Sequence, residues 1–224
     1  MSPARSKQRK ARGKASLPPA RRSRIAERNI AKIISAAEEI IATSGFDGAT
    51  IDAIAERAKI SKPNLHYYFR TKTDLYRAVL KNTLNIWAAS LARLDPEGDP
   101  RAELSAYIEE KLDMSMRNPT ASRVFANEIL RGAPLLEDYL KTELRALVRE
   151  KARVLQRWID DGRLRPVDPA HLIFLIWAAT QHYADFLPQV RAVIGVRSIN
   201  TAHFAAIKAS LKAIILDGAL APKE

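Results

Sequence analysis

From Glu27 towards the end of the chain, apolar side chains recur every three to four positions, and no stretch alternates convincingly at period two. That pattern argues against a sheet, because strands need alternation and helices need a stripe of period 3.6. The expected fold class is all-α, with about nine helices. Along the first helix, Ile30, Ile33, Ile34, Ala37, Ile40 and Ile41 share one face, and Ser44-Gly45 ends it. Gly45 can take the left-handed position that follows a helix. Thr50 caps a second helix carrying Ile51, Ile54, Ala55 and Ala58. Ser61 caps a third, which ends near Phe69 and has Pro63 in its first turn, where a missing N–H costs nothing. Thr71 and Asp74 make a capping box for a long fourth helix bearing Leu75, Val79, Leu80, Leu84, Trp87 and Leu91. Beyond a break at Asp95–Pro100, helices are expected at about 100–117, 119–131, 135–161, 169–186 and 200–217. Asn118-Pro119, Gly132-Ala133-Pro134, Gly162, Asp168-Pro169, Pro188 and Gly195 punctuate them.

Helices alone name no partner; charge begins to. The 224 residues hold 37 Lys and Arg against 25 Asp and Glu, a net charge of +12. Nine of those bases (Arg5, Lys7, Arg9, Lys10, Arg12, Lys14, Arg21, Arg22 and Arg24) fall in residues 1–24, which contain no acid, leaving +3 for the rest. Such a surplus points to a polyanion. Residues 1–24 also contain Pro3, Pro18, Pro19 and Gly13 and almost no large apolar side chain. They cannot bury enough surface to offset the entropy of ordering, so they read as a disordered basic arm. Two roles stay open for the arm: a solubilising tail, or a strip lying along phosphates or reaching into a minor groove. No apolar segment of secretory type follows it. The longest apolar run, Leu172 to Ala179, is far short of the ~20 residues of a membrane span. No membrane partner is expected, and the chain is expected in the cytoplasm.

Reactive chemistry is not visible. Cysteine is absent, which removes disulfides, thiol nucleophiles and thiolate metal sites. His171 and His203 have no partner at metal-ligand spacing. Glu38-Glu39 and Glu109-Glu110 read as solvated helix faces. There is no P-loop, G-x-S-x-G or convincing triad. No catalytic residue, metal ligand or cofactor is assigned.

The segment Thr50 to Phe69 carries the strongest functional signal. Two short helices joined by a tight turn after a longer helix make a helix-turn-helix. Ile51, Ile54, Ala55, Ile60 and Leu65 would form its small core, and Ala58–Ser61 its turn. The third helix is too short to be stable alone. It is crowded with Lys62, Asn64, His66, Tyr67 and Tyr68, which suits an outer face lying in a major groove. Together with Gly45-Phe46, Thr50, Ile54-Ala55, Ala58, Ser61, Leu65, Tyr67-Tyr68-Phe69, Lys72 and Leu75, residues 27–80 resemble the TetR family of transcriptional regulators. The resemblance implies base reading by the third helix and phosphate anchoring by Thr50, Tyr67 and Lys72. Lys62, Asn64 and His66 are expected near bases: Asn can pair bidentately with adenine, and Lys can reach guanine O6/N7. Ser61 and Pro63 complete the expected DNA-contacting set. Pro63 stands where the family often has a smaller residue and could touch a thymine methyl. Phe69 reads as core; Tyr68 reads as core or contact.

The second half offers a candidate pocket. Leu172 to Ala179 is apolar on all sides and should be buried. Phe174, Trp177, Gln181 and Asp185 then share roughly one helical face. An indole one turn from a primary amide suits a flat, hydrogen-bonding heterocycle. The alternative is that Trp177 is core and Gln181 bonds to a neighbouring helix. The segments Asn85–Trp87, Pro119–Phe125, Glu128–Leu136, Asp168–Trp177 and Thr180–Phe186 resemble the family's pyrimidine-utilisation regulators. That resemblance implies uracil or thymine as effector, with Trp177 stacking near the ring, Gln181 on its amide edge and Trp87 closing the pocket. Phe174 and Tyr183 are further candidates. Arg123 and Glu128 would pair or help to line the pocket.

The expected organisation is an arm (1–24), a DNA-binding domain (25–70) and a ligand-binding and dimerisation domain (71–217). The family resemblance implies a homodimer joined by helices 169–186 and 200–217. A two-fold dimer calls for a palindromic double-stranded operator. The expected function is a ligand-responsive one-component repressor. Its rivals are a multidrug or lipid sensor with a larger apolar pocket, an enzyme, and an architectural DNA-coating protein.

Overall fold

The computed structural model describes residues 19–220. Among them are ten helices and no strand, only an isolated antiparallel bridge between Leu164 and Leu220. The fold is all-α. The head comprises α1 (Pro19–Gly48), α2 (Ile51–Ala58) and α3 (Lys62–Tyr68), followed by α4 (Lys72–Ala92). The rest of the body is α5 (Pro100–Arg117), α6 (Pro119–Leu130), α7, α8 (Pro169–Asp185), α9 (Leu187–Ile194) and α10 (Thr201–Ala219). Three segments, Glu137–Tyr139, Leu140–Leu144 and Arg145–Asp160, run on as α7.

Caps set most of the starts. Thr50, Ser61, Asp99, Asn118 and Asp168 each accept a backbone N–H at a helix N-terminus. Thr71 with Asp74, and Asn200 with His203, close full capping boxes. Gly45 has φ +71° inside α1 and kinks its last turn. Lys59 takes the left-handed conformation, φ 56° and ψ 45°, in the turn between α2 and α3.

Three differences from the sequence reading have local causes. Pro19–Arg24, expected in the arm, are the first turns of α1; Pro is favoured at a helix start and Arg propagates helix well. The remainder of the arm lies outside the described residues. The helix beyond the nine expected is α9. Pro188 reads as a stop, yet it sits in the first turn of a new helix after Phe186 breaks α8 at φ −109°, ψ 28°. Within α7, Leu140–Leu144 is a π turn, a form that hydrophobic spacing does not reveal.

Two cores share the molecule. The first joins Ile33 and Ile41, Ile54, Leu65, Leu75 and Leu80 to Val124 of α6 and Leu136 and Tyr139 around the start of α7. The second joins Leu91, Leu104, Ile108, Leu112, Leu155, Trp158, Ile173, Ile176 and Leu216. Helix α4 runs from one to the other, since Leu84 belongs to the first and Leu91 to the second. Trp87 stands at that seam.

Candidate functional site

The helix-turn-helix presents a polar outer face on a buried base. Ile54, Ala55, Ala58 and Leu65 are buried, with Ile51, Ile60 and Phe69 packed against them. Thr50 Oγ1 accepts the Ala53 N–H at 3.1 Å and Ser61 Oγ the Asn64 N–H at 3.4 Å. Both hydroxyls stay at the surface, beside exposed Lys62, Pro63 and His66 and half-buried Asn64. Lys62 Nζ donates to Asp52 at 2.9 Å, both side chains being exposed. Such a pair is worth about 0–1 kcal/mol, so the ammonium is readily exchanged onto another acceptor. His66 Nδ1 lies 3.3 Å from the Arg70 carbonyl oxygen. Tyr67 is 81% exposed, whereas the Tyr68 hydroxyl accepts from Asn29 Nδ2 at 3.2 Å and its ring packs on the head core.

Lys72 departs from expectation. Its ammonium is turned inward, donating to the carbonyls of Phe46 (2.8 Å), Asp47 (3.2 Å) and Ala49 (3.0 Å), and lies 4.5 Å from the Phe46 ring centroid. An ammonium has three donors, and here all three satisfy carbonyls orphaned where α1 ends. Lys72 therefore ties α4 to the end of α1.

At the seam between the cores is a cavity of about 210 Å³. Helix α4 supplies Leu84, Trp87 and Leu91, α6 supplies Phe125 and Ile129, and the π turn of α7 supplies Leu140 and Leu144. Lys111 comes from α5, and Trp177 and Gln181 from α8. Three of the five residues expected at a ligand are thus brought together: Trp87, Trp177 and Gln181. Phe174 is 49% exposed and Tyr183 packs on the second core, so neither reaches the wall. Ile173 and Ile176 face the core, which turns Phe174 outward. Asp185, on the same expected face, accepts from Ser122 and lines an open groove beside Arg123 and His182.

The wall is held rigid by aromatic and polar contacts. Trp177 Nε1 donates to the Tyr107 hydroxyl at 2.6 Å, so its indole offers the cavity a face rather than a donor. Burial raises the Tyr107 hydroxyl pKa, which keeps this acceptor neutral. Trp87 meets Phe125 edge-on at 5.0 Å. Glu128 is buried and does not pair with Arg123. It accepts the Leu135 N–H at 2.8 Å, and burial and its nearby charge push up the Tyr76 hydroxyl pKa. Glu38, expected on a solvated face, is also buried, and accepts from Asn118 Nδ2 at 3.1 Å.

Sequence reasoning missed Lys111. It is 1% exposed, with its Nζ 4.3 Å from the Trp87 ring centroid. Burial pulls its pKa down to about 7, with the Asp185 charge acting in the opposite direction. A signal was available: Leu104, Tyr107, Ile108, Lys111, Leu112 and Ser115 form one inward stripe on α5, and lysine is the foreign member. The described residues contain no His, Asp and Glu cluster able to hold a metal ion, and no helix long and apolar enough to cross a membrane.

Comparisons with known proteins agree with this architecture. Residues 33–79 match the family model for bacterial regulatory proteins of the tetR family, and residues 80–222 match that for the C-terminal region of YcdC-like proteins. The chain is 44% identical over 198 residues to the HTH-type transcriptional regulator RutR of Escherichia coli, covering 88% of this chain and 93% of RutR. A regulator from Streptomyces coelicolor has a TM-score of 0.64 at 27% identity, over 82% of this chain and 96% of that one. AibR, solved with isovaleryl coenzyme A and operator DNA, shares the fold at TM-score 0.61 and 16% identity, over 83% of this chain and 97% of its own. With both halves matched and a relative this similar along most of its length, the chain belongs to the TetR family and is a DNA-binding transcriptional regulator, not an enzyme.

Proposed function

We propose that the chain is a one-component repressor. A homodimer holds a palindromic operator through α3 and releases it when a small planar ligand, such as uracil or thymine, enters the seam cavity. The observation that carries this reading is the cavity itself. At about 210 Å³ it lies below the ~300–1,000 Å³ of drug-sized sites. Two indoles and one primary amide line it, which suits a single hydrogen-bonding ring. A multidrug or lipid sensor would need more room.

In this reading residues 25–70 bind DNA, with Lys62, Asn64 and His66 on base edges, Thr50 and Tyr67 on phosphates, and Ser61 and Pro63 beside them. Residues 71–217 bind ligand and dimerise. Leu175 of α8 and Ile214 of α10 are 53% and 71% exposed, apolar surface suited to a second copy. Coupling follows from the seam. A ligand there touches Leu84 and Phe125, and the helices that carry them, α4 and α6, also pack on the head core. A body arrangement favoured by ligand would set the two reading heads at the wrong separation. Linkage then requires operator DNA to weaken ligand binding by the same factor.

A thermal-shift panel of nucleobases followed by operator titration tests this. A specific ligand stabilises the native state by RT ln(1+[L]/Kd). Uracil or thymine should raise the melting temperature and lower operator affinity. Equal ligand affinity with and without operator would refute the coupling.

A further inference from the structure

Trp87 also lines a second cavity, of about 190 Å³, whose other walls come from α1, α4, α5 and α6. Glu38 of α1 lies at its base, 7% exposed, while Asn82, Arg117 and Asn118 around it are exposed and make the rim. Asn118 Nδ2 donates to Glu38 Oε2 at 3.1 Å, and the Asn82 amide adds a lesser contact. No Lys, Arg or His of the described residues stands within ion-pair distance of this carboxylate. The guanidinium on the rim, Arg117, is turned to Asp113 at 3.5 Å. Burial raises the Glu38 pKa, and the two amides act against that rise.

An ionised carboxylate has room for about four hydrogen bonds, so two amides leave Glu38 with acceptor capacity to spare. A buried charge in that condition gains from a partner that brings both opposite charge and N–H donors. The rim can help such a partner only at one place. Asn118 is fully used, because its Oδ1 caps α6 by accepting the Ala121 N–H at 3.1 Å. Asn82 keeps its carbonyl oxygen for a further N–H. Trp87 and Met114 supply apolar sides. A guanidinium answers all of this. It is flat, can lie against an indole and gives up water more readily than an ammonium. It can also set two parallel N–H groups on one carboxylate. A metal ion fits poorly, since no cluster of His, Asp and Glu able to hold one occurs among the described residues.

We propose that this cavity is a second binding site, for a small guanidinium compound. Glu38 is its anionic anchor, Asn82 its second acceptor, and Asn118 the residue that positions Glu38. Glu38 belongs to the head and Asn82 and Asn118 to the body, so an occupant bridges the two. The site is separate from the seam cavity and does not depend on what enters there.

Calorimetric titration of the full chain with methylguanidinium chloride, at constant ionic strength and well above the carboxylate range of pH, tests this. Methylguanidinium should bind saturably. Methylurea, flat but neutral, and tetramethylammonium, charged but without N–H groups, should not. Glu38→Gln keeps an acceptor for Asn118, so the variant should fold, and its affinity for methylguanidinium should fall about tenfold or more. Gln181→Ala, altered in the seam cavity only, should bind as the unaltered chain does. Absence of saturable binding would overturn the assignment, as would equal binding of tetramethylammonium or an affinity unchanged in Glu38→Gln. Loss of binding in Gln181→Ala would move the ligand to the seam cavity and overturn it too. Arg117→Met should bind at least as tightly as the unaltered chain. Binding seen only in that variant would make Arg117 itself the occupant, and the proposed site would fall.

Discussion

Trp87→Ala probes the seam most directly. The indole is held by the Lys111 ammonium at 4.3 Å and the Phe125 ring at 5.0 Å. It also lines two cavities at once: the seam cavity of about 210 Å³, and a more polar one of about 190 Å³ beside Glu38, Asn82 and Asn118. Truncation opens each onto the other and roughly doubles the continuous space. Trp→Ala changes in cores cost about 3–5 kcal/mol. Because Trp87 is only half-buried, about 3 kcal/mol is expected here, part of it from the lost cation–π contact. Urea denaturation with a shared m-value reads that loss. The enlarged site should also change its size limit. The unaltered chain should be stabilised in a thermal-shift assay by thymine and not by the two-ring imide xanthine, whereas Trp87→Ala should accept xanthine. A variant within about 1 kcal/mol of its parent that still excludes xanthine would refute the reading of Trp87 as the partition between the two spaces.

Other expectations concern single contacts. Tyr107→Phe removes the acceptor of the Trp177 N–H. It should cost about 1–3 kcal/mol in chemical denaturation, and should lose its effect when Trp177 is already Phe. For Lys111 the sign is fixed by a folded pKa pulled down to about 7. Between there and the ordinary lysine range the unfolded chain binds the extra proton, so stability should rise with pH across that window. Denaturation midpoints of Lys111→Met should lack the rise. Asn64→Ala should lose discrimination at one base position by about 1–3 kcal/mol in competition binding. Deletion of residues 1–20 should instead weaken binding to every sequence and flatten its salt dependence. An unchanged salt slope would make that segment a tail.

What was legible in the sequence was local. Thr50, Ser61, Thr71 and Asp74 mark helix starts because a cap is satisfied within three residues of itself. Trp87, Trp177 and Gln181 could be singled out because the resemblance and one helical face pointed to them, and all three line one cavity. Failures came where a residue's role is set across the fold. For Lys72 the sequence did not show that its ammonium is held by three carbonyls at the end of α1, over twenty positions away. Phe174 lies one turn from Trp177, but the inward pull of Ile173 and Ile176 leaves it outside. Lys111 went unassigned: the stripe on α5 marks it as inward-facing, but nothing in α5 alone says that α4 and α8 will enclose it. Glu38 was misjudged for the same reason, its burial being supplied by α4 and α6.

The π turn of α7 has an arithmetical consequence. Its hydrogen bonds close over five residues instead of four, so Leu140–Leu144 holds one residue more than a regular helix would place there. Deleting a single residue in that stretch would restore regular geometry. Winding all five residues as regular helix would instead turn everything before them by about 100° relative to Arg145–Asp160. Tyr139, set in the first core, and Leu155, set in the second, could not then both keep their places. The π turn thus absorbs one residue while keeping the phase between the two cores, and Leu140 and Leu144 of that turn line the cavity. The winding of this turn, as much as side-chain identity around it, decides whether the wall closes.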